Sequence, residues 1–224
     1  MNWQPHFLSD RAFEISLDGP SQSSGWTIVG GGVQTIERVL WLEVEGKELK
    51  DIDPVAYIRS RNEISSLERA SVFLTSANLA DYQISQALLG DRNISCICTV
   101  GLGNALRVGD LSHQTACRTI NICLITDVSL TVNASLETLS LVTEAKTCAM
   151  VDAKIPSTVS GKPSTGTGTD CNLVVAGLSN PIHYAGKHTD FGHHVGRLVY
   201  DTVSKGINRW QSKYLTSRGS RGMV

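Results

Sequence analysis

The chain has 224 residues, 20 lysines and arginines against 21 aspartates and glutamates, a net charge of −1, and 41% apolar residues. That length and apolar fraction suffice for one substantial core, so one domain over 1–214 is expected, followed by a frayed polar tail over 215–224. Interspersed charge leaves no basic stripe for nucleic acid, no apolar run reaches membrane length, and the start Met-Asn-Trp-Gln-Pro-His lacks the regions of an export signal, which predicts a cytoplasmic protein.

Phe13 to Leu17 and Gly25 to Val29 are β-prone runs separated by Asp18-Gly19-Pro20, which predicts an opening hairpin ended by Gly30-Gly31-Gly32. Arg38 to Val44 is a third strand, apolar enough for the middle of a sheet. Asp53-Pro54 predicts a helix to Asn62, with the aspartate as cap and the proline at the first helical position. Ala70 to Thr75 and Asn93 to Val100 read as further strands, and Ser76 to Leu79 takes no firm assignment. A glycine-rich loop follows with Asn104 and Arg107, whose guanidinium can grip an anion or simply brace the loop.

Arg118 to Thr126 is the clearest central strand, and Asp127 stands at its end. Asn133 is the candidate cap of a helix over Ala134 to Val151, in which Leu136, Leu139 and Val142 recur at helical spacing. Glu144 and Lys146, two apart, point to different faces. Ser157 to Thr169 reads as a loop with a mobile tip, and Cys171 to Ala176 as a short strand ended by a turn over Gly177 to Pro181. The last helix should run from Thr189 or Asp190 to about Trp210, burying Val195, Leu198, Val199 and Val203. Together these elements predict a single layered α/β (α+β) domain, a mixed sheet with flanking helices.

Most of the chemistry in sight lies between Pro163 and Gly192. Gly166 and Gly168 alternate with Thr165, Thr167 and Thr169, a pattern that suits positive φ and backbone N–H groups turned toward an oxygen-rich ligand. Asp170 closes this loop, and His183 and His188 follow the next strand. The run has neither the Gly-Lys-Ser/Thr ending of a phosphate loop nor dinucleotide-fold spacing, so nucleotide binding is poorly supported. The six cysteines form no Cys-x-x-Cys pair and read as small buried hydrophobes.

Seven pieces in order resemble the adenosylcobinamide amidohydrolase (CbiZ) family. They are Gly30-Gly31-Gly32; Leu74-Thr75-Ser76-Ala77; Thr99-Val100-Gly101 with Asn104-Ala105 and Arg107-Val108-Gly109-Asp110; Thr119-Ile120-Asn121-Ile122 with Thr126-Asp127; Thr143-Glu144-Ala145-Lys146-Thr147; Thr165 to Asp170; and Tyr184-Ala185-Gly186-Lys187-His188-Thr189. Two positions depart from the family pattern: Arg118 stands where glycine is usual, and His193 where glutamate is common. The resemblance implies hydrolysis of the amide joining aminopropanol to the corrin ring of adenosylcobinamide, giving adenosylcobyric acid. No cofactor is implied, since the cobalt belongs to the substrate, and the partner is the corrinoid itself; a homo-oligomer is compatible with the sequence. Thr119 to Asp127 also resembles, more faintly, a segment of the ornithine acetyltransferase and DmpA aminopeptidase group, whose fold is an αββα sandwich. That likeness would make Thr119 the nucleophile of a chain split at Arg118-Thr119, whereas the bulk of Arg118 favours an uncut chain.

Amide hydrolysis needs an activated nucleophile, donors for the oxyanion and a proton for the departing amine. The expected catalytic set is His188, supported by Asp170, as the proton carrier, with His183 and Thr119 as the other candidates. Asn104, Arg107, Asp127, Glu144, Lys146, Thr165, Thr167, Thr169 and Tyr184 are the expected substrate-binding residues, and the loops carrying Asn104, Asp127 and Thr165 to Asp170 should converge on one cleft. Three alternatives stay open: a corrinoid-binding protein without catalysis, a metal-dependent amidohydrolase drawing ligands from His183, His188, His193, His194, Asp170 and Asp190, and a small-molecule transferase using the glycine-threonine loop for phosphate, which would require nucleotide dependence.

Overall fold

The computed structural model describes residues 5–45, 48, 52–111 and 118–219, with backbone alone over 214–219. Among these residues ten strands and three α-helices follow in chain order, with a 3-10 turn at Leu79–Asp81: β1 (His6–Ser9), β2 (Ala12–Gly25), β3 (Gly32–Glu43), α1 (Pro54–Arg59), β4 (Ala70–Thr75), β5 (Gln83–Leu89), β6 (Arg92–Val100), β7 (Ala105–Leu106), β8 (Ile120–Leu130), α2 (Val132–Asp152), β9 (Gly166–Thr167), β10 (Cys171–Ile182) and α3 (Asp190–Gly219). The main sheet has the order β4-β3-β2-β10-β8-β6-β5, with β1 added to β2, while β7 and β9 form a separate antiparallel pair. β8 and β10 are parallel neighbours joined through α2, and β3 pairs parallel with β4; the other pairs are antiparallel.

Side chains alternate across each strand, so β8 feeds two cores at once. Ile120, Ile122 and Leu124 face α2 and α3, packing on Val142, Val195 and Val199. Cys123 and Ile125 face the other way, where they meet Phe13 and Ile15 of β2, Trp41 of β3 and Phe73 of β4. The sheet therefore folds back over itself, with Phe13, Trp41 and Phe73 stacked in series between its halves at centroid separations of 4.9 and 4.6 Å. A third cluster, Leu40, Leu42 and Val72, covers the outer face of the β2–β4 half under Ile58 of α1. The result is the mixed α/β layering that the sequence predicts, in the order helix, sheet, sheet, helix, with α1 as a thin fourth layer.

Several local expectations are corrected. β2 runs straight through Asp18-Gly19-Pro20, absorbing it as an irregularity between Ser16 and Ser21 in its pairing with β3, so no hairpin forms there. β10 likewise absorbs Gly177 to Pro181 by shifting register against β8. β5 was not anticipated because its half-exposed, polar-interrupted run relies on β6 for definition. Helix α2 is capped by Thr131, whose hydroxyl accepts from the Ala134 N–H at 3.2 Å, rather than by Asn133. Helix α3 continues to Gly219, into the expected tail, and 220–224 lie outside the described residues. The loop before β10 is tied down by bonds from Ser157 N–H to Lys162 O and from Thr165 N–H to Leu106 O.

Candidate functional site

The register between β8 and β10 decides the site. Cys171 lies opposite Asn121, so at the entry to these parallel strands Asp170 comes level with Ile120, and Thr119 with Thr169. Asp170 is nearly buried and fully engaged. Its Oδ1 accepts from the Ile120 N–H at 2.9 Å, and its Oδ2 accepts from the Thr167 N–H at 3.0 Å and from Lys146 Nζ at 2.5 Å. Lys146 reaches it from the inner face of α2, with both side chains under a tenth exposed. An isolated charge at this depth would be strongly disfavoured, and the pair is tolerable because each member neutralises and hydrogen-bonds the other.

This pair explains Gly166. A Cβ there would stand 2.3 Å from Asp170 Oδ2 and 2.8 Å from Lys146 Nζ. The glycine is required for room, since neither Gly166 nor Gly168 has positive φ. The expected outward-facing donors are likewise turned inward. The Thr167 hydroxyl lies 2.9 Å from the Arg118 carbonyl and also bonds Asp170, the Thr169 hydroxyl donates to the same carbonyl at 3.1 Å, and Thr165 Oγ1 accepts from the Val108 N–H.

Thr119, 5% exposed, has one hydroxyl proton facing two acceptors, Asn121 Oδ1 at 3.0 Å and the Thr169 carbonyl at 2.8 Å. The Asn121 amide is fixed by donating to the Leu74 carbonyl at 2.7 Å across the two sheet halves. Around this hydroxyl the surface is hollow. A recess of about 150 Å³ is lined by Ile28, Val44, Pro54 and Leu74 together with Thr119 and Thr169. A larger cavity of about 460 Å³ includes Ser76, Gly101, Arg118, Arg209 and Trp210, and a third, about 480 Å³, shares its Gly103 and Trp210 wall and adds Leu102 and Pro156. Ser76 belongs to both the recess and the first cavity, so the two adjoin at Arg118-Thr119. Cys171 also lines the recess; burial pushes its thiol up to about 11, with the Asp170 charge adding to the effect.

The expected site residues thus divide. Thr119, Lys146, Thr165, Thr167, Thr169 and Asp170 come together, and Asn104, buried beside Gly168, joins them with no hydrogen-bond partner for its Oδ1 among the described residues. Arg107 braces the same loop, donating to the Pro163 carbonyl at 2.8 Å. Asp127 does not converge with them. It lies eight strand positions from Thr119, about 26 Å at strand rise, and accepts from the N–H and side-chain amide of Asn93. Glu144 is exposed and paired with Lys187, and Tyr184 is 73% exposed.

His183 and His188 are exposed beyond the opposite end of β10. His188 precedes α3, and Trp210, at the cavity, lies about 30 Å further along that helix. None of the partners of Asp170 is a histidine, so the expected His188–Asp170 couple is not formed. The histidines and aspartates considered as metal ligands do not gather either, since among the described residues no three His, Cys, Asp or Glu side chains cluster in a way that could hold an ion. Among the described residues no helix is long and apolar enough to cross a membrane.

Sequence reasoning missed Asn121, Arg209 and Trp210. Asn121 carried a usable signal, an amide inside the apolar run Ile120-Asn121-Ile122, where burial demands a partner. The two α3 residues matter only because that helix passes the mouth of the β6–β8 end.

Fold and site define a layered α/β domain whose polar centre lies where two parallel strands begin, between an apolar recess and a larger cleft. A family model described as adenosylcobinamide amidohydrolase (CbiZ) matches residues 6–214, and the chain belongs to that family. It is 28% identical over 161 residues to the uncharacterized protein MJ1613 of Methanocaldococcus jannaschii, a match covering 62% of this chain and 63% of that protein. Among solved structures, a Burkholderia sp. beta-aminopeptidase overlays with a TM-score of 0.45 at 11% identity, over 88% of this chain and 77% of its own. The PH0078 protein of Pyrococcus horikoshii gives 0.45 at 9% identity, over 89% and 77%.

Proposed function

We propose that the chain hydrolyses the amide between aminopropanol and the corrin ring of adenosylcobinamide, releasing adenosylcobyric acid and the free amine. The observation that carries this reading is membership of the amidohydrolase family over 6–214, joined to a single polar centre that the family-like motifs build together. Thr119 is the group we assign to attack. Its Oγ1 adds to the amide carbon, its proton passes to the departing amine, and water then releases the acid from the resulting ester. Asn121 and the Thr169 carbonyl aim the hydroxyl, and the Lys146–Asp170 pair fixes the loop and strand ends that hold it. Asn104, next to Gly168 and hence one residue from Thr169, is assigned as the amide donor for the oxyanion. The corrin disc, apolar in its faces and rich in amides at its rim, suits the larger cavities with their Trp210, Leu102 and Pro156 surfaces.

The test is direct. Purified chain incubated with adenosylcobinamide is expected to liberate aminopropanol, Thr119→Val to liberate almost none, and intact mass to show one uncut polypeptide. A shifted corrinoid absorption spectrum without amine release would make the protein a binder. Two fragments meeting at Arg118-Thr119, with activity tracking their appearance, would place the reactive threonine at a new N-terminus instead.

A further inference from the structure

We propose that the recess beside Thr119 seats the alkyl group on the amine side of the scissile amide, and thereby selects an N-alkylated amide over the unsubstituted amides that fringe the same substrate. The inference rests on the hydrolase reading above and adds what that reading leaves open, namely how one amide is chosen among many of similar reactivity.

The two hollows flanking Thr119 differ in kind. The cleft on the Arg118 side carries Arg209, Asp81 and Glu43, whereas the recess has no charged side chain in its lining: Ile28, Val44, Pro54 and Leu74 give it most of its apolar surface, and Thr75, Ser76, Thr119 and Thr169 add hydroxyls. A mostly apolar recess of about 150 Å³ accepts a group about the size of a benzene ring, so a three-carbon chain fits and a corrin disc does not. An amide carries its acyl and amine substituents on opposite ends of a planar unit. With the disc confined to the larger cavities, an amide reacting at Thr119 directs its amine side toward the recess.

The selection then follows from two costs. An unsubstituted amide leaves the recess unfilled, or presents an N–H to a mostly apolar wall where the few hydroxyls of Thr75, Ser76, Thr119 and Thr169 replace water only in part. An N-alkyl amide instead removes its carbons from water. Each methylene in such a pocket is worth about tenfold or more in kcat/KM.

The experiment uses a series of cobyric acid amides, unsubstituted, N-ethyl, N-(2-hydroxypropyl), N-butyl and N-benzyl, with wild type, Ile28→Ala and Ile28→Trp. Ile28 is 36% exposed, so both replacements should fold, and thermal melts of each variant confirm it. The wild type is expected to leave the unsubstituted amide intact and to gain about tenfold in kcat/KM per added carbon until the recess is full. Ile28→Trp should depress the longer chains by about tenfold or more while sparing N-ethyl, and Ile28→Ala should move the optimum toward N-butyl or N-benzyl. Cleavage whose dependence on chain length is untouched by either variant overturns the recess assignment alone. A wild type that cleaves none of the series overturns the hydrolase reading and this inference with it.

Discussion

The two ends of the β8–β10 pair both carry polar side chains, but of different types and in different surroundings. At the entry end, Thr119, Asn121, Lys146, Thr167 and Asp170 are buried or half-buried and interlocked by hydrogen bonds. At the exit end, His183, Tyr184 and His188 stand in water, and Asp127 is spent on Asn93. Residue types alone favoured the exit end, because imidazole titrates near neutrality. Preorganisation favours the entry end, where burial holds the hydroxyl and its acceptors in fixed geometry before substrate arrives.

The strongest way to break this contrast is to remove one reactive group from each end. Thr119→Val is expected to lower kcat for corrinoid amide hydrolysis on the order of a thousandfold or more, with the fold intact, while His188→Asn stays within about threefold. The reverse ranking in steady-state kinetics would move the centre to the histidines.

The second test concerns the buried pair. Lys146→Met leaves the Asp170 carboxylate buried without its cation, which should cost about 3–5 kcal/mol. At about 2–4 °C per kcal/mol for a domain of this size, calorimetry should show the melting temperature falling by roughly 6–20 °C. Lys187→Met, which breaks the exposed pair with Glu144, should shift it by less than about 2–4 °C.

A third comparison separates the two glycines of the threonine loop. Gly166→Ala drives a methyl into Asp170 and Lys146 and should destabilise by about 1–3 kcal/mol in urea unfolding. Gly168→Ala, whose nearest neighbour is the Leu106 side chain at 3.5 Å, should lie within about 0.5 kcal/mol of wild type.

The smallest effect is a pH dependence at the cleft. Burial alone would raise the Asp81 carboxyl, but the ion pairs with Lys213 and Arg209 outweigh it and hold the group below its ordinary 3.8. A depressed native pKa means stability that is present above the unfolded value and lost as pH falls through the folded one, so the window lies below about pH 4. Asp81→Asn should lower the melting temperature at pH 7 by no more than about 2–4 °C, and should shrink the loss that wild type suffers below pH 4.

Much of the scaffold was legible along the chain. Ala70 to Thr75 is a strand with those bounds, Asp53 caps its helix by accepting from the Ala56 N–H, and α3 buries its expected apolar stripe, while α2 buries Leu139 and Val142 but leaves Leu136 exposed. These features depend on neighbours within a few residues, where side-chain period and capping chemistry act. The misreadings at Asp18-Gly19-Pro20 and Gly177 to Pro181 arose because a paired strand can absorb turn-prone residues as a bulge, at a cost that its neighbours in the sheet offset.

The site shows the same division. Sequence alone determined that a threonine-glycine loop ending in Asp170, a strand entered at Thr119 and a helix bearing Lys146 belong to one protein. Only the tertiary structure decided that they meet. The Cys171–Asn121 register sets Asp170 against Ile120 and Thr169 against Thr119, the crossover through α2 turns Lys146 inward, and the folding of the sheet over itself brings Leu74 to Asn121 and opens the recess. Residues tens of positions apart acquire a shared geometry through the parallel pairing and two-sided core, and no local pattern encodes that distance.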